Sequence, residues 1–133
     1  MILPITLPIT LASAGAAALI NLWLSFRVGA TRSAVKVSVG DGGEESLIRR
    51  MRAQANFIEN APIALILIAL IELARPINPG LAIVAALFTL SRVAHGLGMD
   101  GGKLGKGRMV GTLVTMLTLL GLGVWAVVIA VIR

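Results

Sequence analysis

Residues 109–132 read MVGTLVTMLTLLGLGVWAVVIAVI, without one charged side chain. An apolar run of roughly 20 residues can cross a bilayer core of about 30 Å as a helix. Toward the N-terminus three more such runs occur, at about 81–97, 57–73 and 5–26. The whole chain agrees with them: 57% of its 133 residues are hydrophobic and 14% charged, with a mean hydropathy of +0.95. A soluble domain is usually about 45–50% apolar and about 25% charged. These values exclude a disordered chain, a nucleic-acid-binding domain and an ordinary water-soluble enzyme. The chain reads as an all-α integral membrane protein of four spans.

The flanks refine the spans. Asn78 can cap a helix whose first position is Pro79, so residues 75–80 form a tight hairpin between the second and third spans. Asp41, with Glu44 three residues on, offers a capping-box-like start for a second helix that begins near residue 44 and projects about three turns before its apolar core. The first span is expected to end at Arg27. The opening Met1-Ile-Leu-Pro carries no positive stretch, so residues 5–26 are expected to be a retained span rather than a cleaved leader. No linker divides the chain, which reads as one domain, 1–133. It has no cysteine, so disulfides, thiolate metal sites and a cysteine nucleophile are excluded.

Basic residues set the expected orientation. The net charge is +6. Arg27, Arg32, Lys36, Arg49, Arg50 and Arg52 lie between the first two spans, and Lys103, Lys106 and Arg108 between the last two. The opposite side has Arg75 and Arg133, and Arg92 lies inside span three. Positive-inside bias then puts the segments 27–56 and 98–108 in the cytoplasm and both termini outside.

Ionised side chains at membrane depth are costly and usually face a bundle interior. On helix two, Glu45, Arg49, Arg52, Asn56 and Glu59 fall at spacings of 4, 3, 4 and 3, within about 80° of one another, forming one polar stripe. Arg50 and Gln54 flank it and Pro62 closes it. On helix three, Arg92, His95 and Met99 share a face. Glu59 lies within about 5 Å of Arg92 and His95 in depth, so a contact of Glu59 with either is feasible and would offset the cost of burial. Such networks also occur for packing alone, each bond then worth roughly 0.6 kcal/mol. The small-residue series Gly111, Thr115, Thr118 and Gly121 indicates close helix packing. Metal-ligand spacing, a phosphate loop and a Ser/His/Asp set are all missing.

Three segments carry a resemblance. Arg49-Arg50-Met51-Arg52-Ala53-Gln54-Ala55-Asn56-Phe57-Ile58-Glu59-Asn60-Ala61-Pro62 resembles the helix-two signature of the MAPEG family, the membrane-associated proteins in eicosanoid and glutathione metabolism. Arg92-Val93-Ala94-His95-Gly96-Leu97-Gly98 and Arg108-Met109-Val110-Gly111 extend it, in order, over essentially the whole chain. The resemblance is to bacterial-type members that look like microsomal glutathione transferases. It implies a left-handed four-helix bundle, a homotrimer in a bacterial inner membrane, and glutathione as co-substrate between subunits. Its partners would be glutathione or a similar thiol, a lipophilic small molecule and membrane lipids.

Roles carry over where residues match. Arg52, Asn56 and Glu59 stand at glutathione-contacting positions, with Gln54 a fourth; Arg32, Arg49 and His95 extend the set. Arg108 matches the arginine that stabilises the glutathione thiolate in conjugating members, and Arg92 and Asn60 would support the site. The chain departs from leukotriene-synthase-type members, which have tyrosines where Asn60, His95 and Met99 stand here; it has no tyrosine at all. The ligand chemistry suits these residues. Arginine forks donate paired bonds to carboxylates, Glu59 suits an ammonium, and a guanidinium beside sulfur favours the nucleophilic thiolate. The leading reading is a transferase- or peroxidase-type enzyme acting on lipophilic electrophiles. Its alternatives are a catalytically weak thiol- or anion-binding protein on the same scaffold and a channel or transporter subunit.

Overall fold

The structure is a computed structural model that describes residues 4–132. Arg133 and the first three residues, which entered the readings of charge bias and leader, lie outside the described part. Four helices follow in order: α1 (Pro8–Val35), α2 (Glu45–Ala74), α3 (Pro79–Gly98) and α4 (Lys106–Val131). One turn of 3-10 helix, Gly102–Leu104, precedes the last. Each of the four spans is long and apolar enough to cross a membrane. The fold is all-α, a bundle of four membrane helices.

Local chemistry sets the ends. The Asn78 side chain accepts a 3.1 Å bond from the Leu81 N–H, and Pro79 opens the helix, so α3 starts where its cap dictates. The start of α2 differs from the capping-box expectation. Gly42 and Gly43 both take positive φ, reversing the chain before the helix begins. Asp41 is thereby drawn into a turn: its carboxylate accepts from the Gly43 N–H at 2.8 Å and its carbonyl from the Glu44 N–H. The N-cap residue is Glu44, without a side-chain cap. Nor does α1 end at Arg27; it runs on to Val35, until Lys36 takes a left-handed conformation. Likewise α4 begins at Lys106, ahead of its apolar run. Hydropathy marks where lipid ends, whereas a helix ends where its backbone bonds do.

The closest neighbours are α3 with α4, then α1 with α2, so the bundle is two hairpins laid against each other. Inward-facing residues of α2 are Ala53, Phe57, Ala61, Ala64, Ile68 and Ile71, at spacings of 3 and 4 that keep one face buried. They join Ile20, Leu24 and Phe88 at one end of the bundle and Leu81, Ala85 and Leu122 at the other. Outward, Leu22, Ile66 and Leu117 are each more than half exposed. In water such a surface would aggregate; in a bilayer it meets lipid.

The α3–α4 contact depends on Gly111. A Cβ there would stand 2.5 Å from the His95 Cβ and 2.6 Å from the Ser91 carbonyl oxygen. Thr115, Thr118 and Leu122 complete the buried face. Gly121 does not belong to it: it is exposed, with open space where a Cβ would be. After Thr118 a helix returns to the same face four residues on, which is Leu122.

Candidate functional site

The guanidinium of Arg92 lies at the centre of the bundle with 1% of the residue exposed. It donates to the Asn56 Oδ1 on α2 at 2.5 Å and to the Thr115 Oγ1 on α4 at 3.0 Å. His95, one turn along α3, brings its Nδ1 to 3.5 Å. One side chain thus ties three helices, and Thr115, read from spacing as packing only, is one of its acceptors. Every partner is neutral, and the Arg92 Nε has none among the described residues.

Glu59 does not supply the missing anion. It is exposed, and makes no hydrogen bond or ion pair with any described residue. The contact read as feasible with Arg92 or His95 is therefore corrected. Equal depth is only one coordinate: Glu59 lies about 60° around the helix from Asn56. Asn56 turns inward and Glu59 turns outward.

Glu59 shares its outward setting with Arg52 and Arg108, both exposed and free of side-chain partners among the described residues. Arg108 occupies the first turn of α4, where its carbonyl accepts from the Thr112 hydroxyl at 2.9 Å. The remaining sequence candidates are engaged within the chain. Arg49 pairs with Glu45 at 2.6 Å, one turn away. Arg32 wraps the turn after α1, donating to the Gly40 carbonyl at 2.6 Å. The Gln54 amide donates to the Ser25 hydroxyl on α1 at 2.5 Å. Asn60 donates to the Asn56 carbonyl of its own helix at 2.8 Å. The structure thus separates a buried centre (Asn56, Arg92, His95, Thr115) from an outward set (Arg52, Glu59, Arg108).

Two groups were missed by spacing. Glu72, 2% exposed near the end of α2, accepts from the Ile9 N–H, the Thr10 N–H and the Thr10 hydroxyl at 2.7–2.9 Å. A carboxylate there satisfies donors that the first turn of α1 leaves open, and it meets the positive end of the helix dipole. At the other end, Asp100 follows α3 and binds two arginines. Arg27 of α1 forms an ion pair with it and also donates to the Gly96 carbonyl at 3.1 Å. Arg50 of α2 reaches Asp100 at 3.2 Å and the Thr31 hydroxyl at 3.1 Å. The Arg27 guanidinium lies 4.9 Å from the centre of the Trp23 ring.

These features define a four-helix membrane protein with a buried guanidinium centre and an ionisable outward face. The sequence profile of the MAPEG family matches residues 10–128, and the chain belongs to that family. It is an integral, multi-pass membrane protein. Among curated proteins, none matches it.

Proposed function

We propose that this protein binds glutathione, or a thiol of the same charge pattern, at a subunit boundary and activates its sulfur toward electrophiles dissolved in lipid. The observation that carries the proposal is the outward carboxylate of Glu59, without a partner among the described residues, on a helix long and apolar enough to span a membrane. A charge exposed at that depth is costly unless something meets it. Glu59 suits an ammonium, and Arg52 suits a carboxylate through its paired donors. Arg108 supplies a cation near the thiol, favouring the thiolate, which is the nucleophile. The thiol proton passes to solvent, and the thiolate attacks the electrophilic carbon: the sulfur–carbon bond forms as the carbon–leaving-group bond breaks and the leaving group departs with that electron pair, Arg108 stabilising the sulfur's charge until it is spent. Homotrimer assembly would cover the outward face and keep the ligand between copies. The positive-inside bias favours the cytoplasmic side for this face, and the resemblance to bacterial-type members supports a bacterial inner membrane.

The test is glutathione titration of the detergent-purified protein, followed by a conjugation assay with a hydrophobic electrophile. Saturable binding and turnover above the solution rate are the expected results. Absence of binding refutes the proposal. A second reading, binding without turnover, draws on Asn60: its amide is spent on its own helix, and the chain has no tyrosine to donate in its place. Binding with no conjugation would select it.

A further inference from the structure

The outward set is divided between the two hairpins. Arg52 and Glu59 stand on α2, in the α1–α2 hairpin, while Arg108 stands on α4, in the α3–α4 hairpin. Within its own hairpin Arg108 is held firmly. A Cβ on Gly98 would overlap the backbone of Gly107 and Arg108, so the first turn of α4 presses directly on the end of α3. What fixes that unit against α1 and α2 is a separate matter.

At this end of the molecule, Asp100 makes the ionic link between the hairpins among the described residues. It is two residues beyond Gly98, and its carboxylate binds Arg27 of α1 and Arg50 of α2 together. Arg27 adds a bond to the Gly96 carbonyl of α3, and Arg50 adds bonds to the Thr31 hydroxyl and the Arg27 carbonyl of α1. The connection that follows, Gly101-Gly102-Lys103-Leu104-Gly105, holds three glycines around one turn of 3-10 helix and makes no ion pair to α1 or α2 among the described residues. Between the hairpins, Gly96 of α3 also packs against Trp23 and Leu24 of α1, and the next hydrogen bond, Arg92 to Asn56, lies about 1.7 turns further into the bundle on α2, counted from Arg50 to Asn56.

We propose that Asp100 is a positioning residue that sets the place of Arg108 relative to Arg52 and Glu59. The proposal rests on the reading of Arg108 as the thiolate-stabilising cation. A charge that stabilises a developing or transferred charge works only when held in place beforehand, and small displacements far from the reacting atoms can cost a large factor in rate. Asp100 touches no substrate; it acts through the register of the two hairpins.

The experiment uses the full-length trimer in detergent, with Asp100→Asn and Asp100→Glu. The chain has no cysteine, so Ser46→Cys on α2 and Lys106→Cys on α4, both exposed, allow spin labelling without a background. With doubly labelled chains diluted into an excess of unlabelled chains, so that distances between subunits drop out, pulsed dipolar spectroscopy is expected to give one narrow distance between them in the parent. Asp100→Asn should broaden or shift it, and Asp100→Glu should restore it. With glutathione bound, Asp100→Asn should raise the pH of thiolate formation by about one unit. It should lower kcat about tenfold while KM for glutathione stays within about threefold. An unchanged distance in Asp100→Asn overturns the inference, whether or not glutathione binds. An altered distance with unchanged thiolate pH and kcat also overturns it. If the parent forms no thiolate, the functional reading fails, and the positioning role falls with it, even where the distance changes.

Discussion

The Arg92 guanidinium donates to the Asn56 Oδ1 at 2.5 Å, joining α3 to α2 in the middle of the bundle with no carboxylate partner among the described residues. An asymmetry follows. Removing Asn56 leaves a buried charge short of an acceptor, whereas removing the charge leaves neutral groups that can bond elsewhere. Asn56→Leu should therefore destabilise the protein by about 1–3 kcal/mol. Arg92→Met should cost less, although it deletes the larger polar group. Thermal inactivation in detergent, followed by size-exclusion chromatography, ranks the two. The opposite order would mean that an unseen anion or water already satisfies Arg92.

The three bonds that Glu72 accepts from Ile9 and Thr10 hold the start of α1 against the end of α2. Glu72→Gln replaces an acceptor with a donor facing other donors and loses charge-assisted bonds, each worth about 1.5–3 kcal/mol. Amide exchange at residues 9 and 10 should rise sharply in this variant. Exchange in the 100–110 segment should not change.

Glycines in α4 make a paired test. Gly111→Ala sets a methyl 2.5 Å from the His95 Cβ, so the helices must separate, and overpacking of this kind costs about 1–3 kcal/mol. Gly121→Ala meets open space, and removing a helical glycine gains up to about 1 kcal/mol. The thermal midpoints of the two variants should fall on opposite sides of the parent's.

Ligand recognition can be separated from folding at Glu59. Because it is exposed and has no partner among the described residues, Glu59→Gln should leave any assembly intact. Glutathione affinity should drop more than tenfold, about 1.4 kcal/mol. Native mass spectrometry and calorimetric titration give the two readouts. Loss of the assembly with unchanged affinity would make Glu59 a packing residue.

Much of this architecture was legible in the sequence because the bilayer demands it. Four apolar runs, the Asn78 cap and the polar stripe of α2 each follow from one periodicity or one local bond. The site was legible as a set of residues but not as an arrangement. Counting from the midpoints of the apolar runs puts Glu59 near the depth of Arg92 and His95, yet azimuth and partner depend on how α2 is rotated in the bundle, and Asn56 took the place facing Arg92. Asp100 and Glu72 left no pattern to read. Asp100 meets arginines 73 and 50 positions away, and Glu72 bonds mainly to backbone N–H groups more than 60 positions away, which any residue type would provide.

The central claim is that a cation at the start of α4 holds a bound thiol as thiolate, and ultraviolet thiolate absorbance tests it most directly. Titrating the glutathione-loaded protein with base should show thiolate forming near neutral pH, well below the range of a free thiol. In Arg108→Ala the same transition should move upward by about one unit, since the thiolate loses its stabilising charge while the neutral thiol does not. Conjugation at neutral pH should fall at least about tenfold, with glutathione affinity within a few-fold of the parent's. A parent without thiolate absorbance near neutral pH would contradict the account. So would an Arg108→Ala variant that titrates and conjugates as the parent does.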